Sequence, residues 1–334
     1  MIRITELPAL LLLAAGLPFS CSPEHTVQAT QTSSPEKGIP APTKEIPDQK
    51  PAIAAEKATE TKSEFARFVR AGEDEGRFET SITRYENAKG QRVSLIAAVH
   101  IADAEHYDDL NQDFTTYDAL LYELVAPEGH RPKPGEKRSK GGLSILQTLL
   151  KNALELEFQL DRIDYSPDNF VHADLTPSGF QEKMKERGES ILTFFLTSMQ
   201  RQVDYMRKNA DERENTPPEK FDLVSAFRSG YGRHSLRMMF AKQLKNLEAM
   251  AGGGDLDDEN GGTVLLEGRN QRALEVLQEQ LLKGKKDLGI YYGAAHMPGI
   301  ERSLQKRMGF KKVEEKWLIA WDISKRPDKP KKSK

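Results

Sequence analysis

Residues 77–87 (RFETSITRYEN) and 91–99 (QRVSLIAAV) are strand-like, and Ala88-Lys89-Gly90 between them marks a hairpin. From 103 to 117 the apolar residues Tyr107, Leu110 and Phe114 recur at helical spacing, with Asp103 placed as an N-cap. The run ALLYELV at 119–125 reads as a buried strand. From about 142 to 252 the pattern turns mostly helical. Leu143, Leu146, Leu149, Leu150 and Leu154 form one apolar stripe, and Ile191, Phe194, Phe195, Met199, Val203 and Met206 a second. A third joins Leu236, Met239, Phe240, Leu244 and Leu247. Pro217-Pro218 separates two of these helices, and 251–262 (AGGGDLDDENGG) reads as a loop. A strand–helix rhythm then resumes. Thr263–Leu266 is expected as a short strand, 269–283 as a helix and 287–293 as a strand. A helix over 298–308 has Pro298 in its first turn, and 311–323, with Trp317 and Trp321, reads as a long final strand. These elements predict an α/β domain over 64–324, with a central mixed β-sheet, flanking helices and a large all-helical insertion at about 142–252.

The flanks are of another kind. Arg3, the apolar run Ala9–Leu17 and Pro18-Phe19-Ser20 describe a secretory signal over 1–20, too short to span a bilayer as an ordinary helix. Cys21 follows at once, as in a bacterial lipoprotein signal, so cleavage before Cys21 and its lipidation are expected. Ser22 after the cysteine favours an outer-membrane lipoprotein facing the periplasm or exterior. Residues 21–63 contain six prolines and almost no large apolar side chain, the composition of a disordered tether. Residues 325–334 read as a basic, disordered tail.

Composition narrows the chemistry. The 334 residues carry 49 Lys+Arg against 51 Asp+Glu, a net charge of −2 that supplies no global basic field for nucleic acid. One cysteine rules out a disulfide framework, a Cys-based zinc site and a dithiol redox motif. The chain contains no HExxH, nucleophile elbow, Walker A or Rossmann glycine motif.

What remains gathers at strand ends. Ala97-Ala98-Val99-His100 precedes one helix and Gly293-Ala294-Ala295-His296 precedes another. Between them Glu123 lies near the end of an apolar strand, where a charge is costly unless paired or bound to a metal. Ligands of open α/β sheets bind beyond the carboxyl ends of the strands. Two imidazoles and one carboxylate are a recurrent donor set for zinc, iron or manganese.

These residues resemble the TraB/PrgY/gumN family, which includes the Tiki proteases within a wider fold group of erythromycin esterase-like and ChaN-like proteins. The family pattern is two Gly-x-x-His motifs, a glutamate after the strand following the first, and a Glu-Arg-Asn element before the second. GAAHMPGIERSLQKRMGF supplies the second motif in full. In AAVH, Ala97 replaces the glycine, and in LLEGRNQRAL Gly268 takes the usual Glu position, with Glu267 one residue earlier. The resemblance implies a metal-dependent peptidase with His100, His296 and Glu123 as metal ligands or acid–base groups and Mn, Co, Fe or Zn as the ion. Arg269 and Asn270 are its expected substrate-binding residues, with Arg269 also a catalytic candidate that holds a substrate carboxylate or the developing oxyanion, the alternative being a structural salt bridge from Arg269 to Glu123 or Glu267. A peptide or protein is its substrate, and the lipidated Cys21 its tie to the membrane. The alternative is a non-catalytic lipoprotein that binds metal, haem or peptide in the same cleft.

Other candidates read as structure or surface. His172 and Asp174 in NFVHADLT are placed for support or for a further ligand, the structural role being favoured for His172. His106 is expected on an exposed helix face, His130 in a surface loop, His234 on a solvated face and His25 in the tether. The acidic loop Asp255, Asp257, Asp258 and Glu259 fails the EF-hand spacing.

Overall fold

The computed structural model describes residues 64–72, 74–133, 154–186, 188, 229–251 and 264–324. The leader, Cys21, the tether, the first two helical stripes up to Leu150 and Met206, Pro217-Pro218, the acidic loop and the basic tail lie outside these residues.

A mixed seven-stranded sheet forms the centre. Its strands are β1 (Ala66–Arg70), β2 (Gly76–Glu86), β3 (Arg92–Ala98), β5 (Ala119–Tyr122), β7 (Phe170–His172), β8 (Asp287–Gly293) and β9 (Lys311–Ile323). Strands β4 (Ile101–Ala102) and β6 (Glu157–Phe158) form a separate small pair. The main order is β1-β2-β3-β8-β5-β7, with β9 antiparallel to β2. Strands β3, β8, β5 and β7 are mutually parallel, so their carboxyl ends share one edge of the sheet.

Six α-helices accompany the sheet among the described residues: α1 (Ala104–Phe114), α2 (Gln159–Arg162), α3 (Pro177–Glu186), α4 (Gly230–Ala251), α5 (Arg269–Leu282) and α6 (Met297–Met308). Side chains alternate between the two faces of each strand, and that alternation divides the core. Ile96, Leu120, Tyr122 and Tyr291 pack with Tyr107, Leu110 and Phe114 of α1 and with Leu236 and Phe240 of α4. Leu95, Leu121, Ile290 and Tyr292 point the other way, onto Ala273, Val276 and Leu277 of α5 and Ile300 and Leu304 of α6. Of the third helical stripe, Leu236 and Phe240 are therefore core, and Met239 and Leu244 pack against it partly buried.

Local chemistry sets the boundaries. Gly90 adopts φ +71° in the β2–β3 turn, where Asn87 Oδ1 accepts from the Lys89 and Gln91 amides. Gly309, also at φ +71°, ends α6 in the left-handed region. Asp103 does sit at the N-cap of α1, but its carboxylate is spent elsewhere, on Arg237 of α4 and on the Asp322 amide.

Three expectations change. Phe170–His172, inside the stretch read as helical, is a strand of the central sheet, so the insertion is not all-helical. Three residues are too few to show a period, and the longer helical pattern around them masked it. The stretch expected as a strand at Thr263–Leu266 is instead a π-helical turn, Val264–Gly268, running into α5. His106 and His234 are buried rather than exposed, at 2% and 7%. The first packs edge-on against Tyr107, and the second meets the Asp74 carbonyl through Nε2.

Candidate functional site

The four parallel strands deliver polar residues to one edge. His100 follows β3 by two residues, Glu123 directly follows β5, Asp174 follows β7 by two, and His296 ends a 3-10 turn (Ala294–His296) after β8. Across this edge lies the first turn of α5, with Arg269 and Asn270.

Arg269 is the hub. It is 2% exposed; its Nε donates to Asp174 Oδ1 at 2.9 Å, and its Nη2 to Asp174 Oδ2 at 2.5 Å and Glu123 Oε1 at 2.6 Å. Burial alone would lower its pKa, but the Asp174 and Glu123 carboxylates outweigh that and raise it. Glu123 Oε2 accepts the Gly293 amide at 2.6 Å. Burial pushes the Glu123 carboxyl up, yet the Arg269 guanidinium, with His296, His100 and the Gly293 amide, holds it down at about 2. It is an anion at neutral pH.

His296 stands beside it, with Nε2 3.6 Å from Glu123 Oε1 and Nδ1 2.7 Å from Asn270 Oδ1. Desolvation drives its pKa down to about 4, so the ring is neutral at pH 7. Tyr292 braces both halves of the site, its hydroxyl donating to the Ala173 carbonyl and its ring lying edge-on to His296.

Two carboxylates against one guanidinium and a neutral imidazole leave one uncompensated negative charge in a buried place. Such a charge is costly unless a cation joins it. Arg269, Asn270, Glu123 and His296 thus come together. His100 is half-buried on the rim, within electrostatic reach of both Glu123 and His296. Among the described residues no group of three or more His, Cys, Asp or Glu side chains already converges on a metal position.

Asp174, which the sequence offers only as support or a further ligand, is the partner that ties Arg269 into the site. Its signal is the strand-end rule applied to FVHA, which becomes visible only once β7 is known to be a strand. His172 plays the expected structural part, with Nε2 2.6 Å from the Leu124 carbonyl. His130 is half-buried, and its carbonyl accepts from the Tyr122 hydroxyl.

A comparison with protein-family profiles matches residues 142–312, just over half of the chain, to the TraB/PrgY/gumN family. The chain belongs to this family. No curated protein and no solved structure matches it. The two departures from the TraB/PrgY/gumN pattern have simple structural consequences. Ala97 lies in the extended strand β3, opposite Tyr292, and has no need of a conformation reserved for glycine. Gly268, in the usual Glu position, and Glu267 before it lie in the π-helical turn that runs into α5. Arg269 and Asn270 keep their place at the start of α5.

Proposed function

We propose that this TraB/PrgY/gumN-family chain is a metal-dependent peptide hydrolase whose centre is the strand-end cluster. The observation that carries the reading is the buried cluster with one negative charge to spare, in which His296 Nε2 lies 3.6 Å from a Glu123 oxygen. With a lone pair on Nε2, the two acceptors repel each other unless a cation lies between them. Ligand atoms each about 2.1 Å from one ion stand roughly 3–4 Å apart, so the spacing fits. The hydrogen bonds that Arg269 and Gly293 give Glu123, and that Asn270 makes with His296, are of the kind that orient metal ligands.

Glu123 and His296 would hold the ion, with His100 turned inward from the rim to complete the donor set. A bound divalent ion would supply an acidified water and polarise the scissile carbonyl. The Arg269 guanidinium and the Gly293 amide, which hold the Glu123 carboxyl low, favour for it the part of an anionic ligand over that of a general base. Arg269 spends its cation on Glu123 and Asp174, fixing the carboxylate rather than reaching for substrate. The remaining parts of the reading are export, lipidation at Cys21 and an outer-membrane location, and they are supported by the leader pattern.

The test is Co(II) and Zn(II) titration of the full chain followed by calorimetry and visible absorption, beside Glu123→Gln and His296→Ala, with peptide cleavage measured with and without chelator. One ion bound per chain, lost in both variants, together with chelator-sensitive cleavage, is the expected result. A wild-type chain that takes up no divalent ion would end the metallohydrolase reading.

A further inference from the structure

We propose that Asn270 is a positioning residue that sets which ring nitrogen of His296 carries the proton, and that Gly299 is glycine in order to house it. The Asn270 carboxamide grips His296 at two points, Oδ1 at 2.7 Å from the ring Nδ1 and Nδ2 at 3.4 Å from the His296 backbone carbonyl. The second contact is long, but it fixes the sense of the amide. A flipped carboxamide would set its oxygen against the carbonyl oxygen. With Oδ1 facing the ring, Nδ1 must be the donor, and Nε2 keeps its lone pair toward Glu123.

Gly299 lies three residues after His296, on the same face of α6 one turn along. A Cβ built there would stand 2.6 Å from Asn270 Nδ2, a distance that real side chains do not tolerate. Gly293 is constrained by a different partner, since a Cβ there would come within 3.3 Å of Glu123 Oε2. The two glycines of GAAHMPG therefore serve different groups: Gly293 lets Glu123 reach the backbone, and Gly299 lets Asn270 reach His296. Backbone freedom explains neither, because Gly293 has φ −50° and Gly299 lies within a helix.

The consequence for ion uptake rests on the proposed function, but the tautomer does not. The test is long-range 1H–15N correlation NMR on the ion-free full chain labelled at histidine nitrogens, with the His296 signals assigned by their loss in His296→Gln. The wild type is expected to carry its proton on Nδ1. Asn270→Ala and Gly299→Ala should both move it to Nε2, the form an unconstrained imidazole prefers, and Asn270→Asp, which keeps an acceptor, should restore Nδ1–H. Because the two substitutions remove one contact, the double variant should be no worse than either alone. Co(II) affinity should fall about 10- to 100-fold in Asn270→Ala, the usual loss when a ligand's orienting partner is removed. Wild-type His296 protonated on Nε2, or an Asn270→Ala spectrum unchanged from wild type, would overturn the proposal. Tautomers that behave as stated in a chain that binds no ion would instead leave the positioning intact and remove the metallohydrolase reading.

Discussion

Asp174→Asn tests the electrostatic design of the site without changing its shape. Asp174 is fully buried and gives Arg269 two of its three charged hydrogen bonds, at 2.9 and 2.5 Å. With charge centres about 4 Å apart and an effective dielectric constant near 20, the attraction is about 4 kcal/mol. Asparagine keeps one acceptor oxygen and relieves one buried charge of its desolvation, which offsets part of this. The expected net loss is about 3 kcal/mol, the lower end for breaking a buried pair. For a domain of this size that lowers Tm by about 6–12 °C. Urea unfolding followed by circular dichroism reads it as a lower midpoint with unchanged m. The same substitution removes the surplus negative charge, so Co(II) affinity should fall although Asp174 is not a proposed ligand. A stability loss under about 1 kcal/mol, with ion affinity intact, would refute both the charge count and the role given to Arg269.

Two further predictions concern the surroundings. His106, buried beside Tyr107, has its pKa lowered to about 4 by desolvation. The unfolded chain takes up this proton near pH 6.5 and the folded one only near 4, so stability is lost as pH falls across that window, by about 3 kcal/mol. The stability of His106→Leu relative to wild type should rise by that amount between pH 7 and pH 4; parallel pH profiles would refute the assignment. Gly289→Ala places a Cβ 2.5 Å from Leu120 Cδ1 and 3.0 Å from Ile96 Cδ1 in the middle of β8. Overpacking of this kind should cost about 1–3 kcal/mol by thermal unfolding, and an unchanged Tm would mean that the sheet gives way more easily than argued.

Much of the fold was legible because its long elements carry a clear period. The β2–β3 hairpin, α1, β5, α5, β8, α6 and β9 all fall close to where the hydrophobic spacing puts them. Elements defined by partners rather than by their own pattern were not legible. Strand β1 is five residues with a half-buried face, and β7 is three residues held by pairing to β5. The π-helical turn carries apolar residues that read equally well as a strand. The same distinction holds at the site. Glu123, His100 and His296 announce themselves as polar residues at the ends of apolar runs, whereas Asp174 gains its meaning only from Arg269, 95 residues away. His106 and His234 were misplaced because helical spacing fixes which residues share a face, while tertiary packing decides which faces are covered.

The position of β8 has a consequence for how the molecule is made. It lies between β3 and β5, yet it is the last of the four parallel strands in the chain. Residues 100, 123 and 174 leave the ribosome well before the segment that wedges between their strands and brings His296. Until that segment arrives, β3 and β5 present unpaired backbone edges where the β8 ladders will form, a state open to mispairing. Its insertion is a parallel, long-range event of the slow kind. A nascent or truncated chain ending before about residue 287 therefore lacks the strand that closes the sheet and the imidazole that faces Glu123. The arrangement withholds the assembled cluster from an unfinished polypeptide.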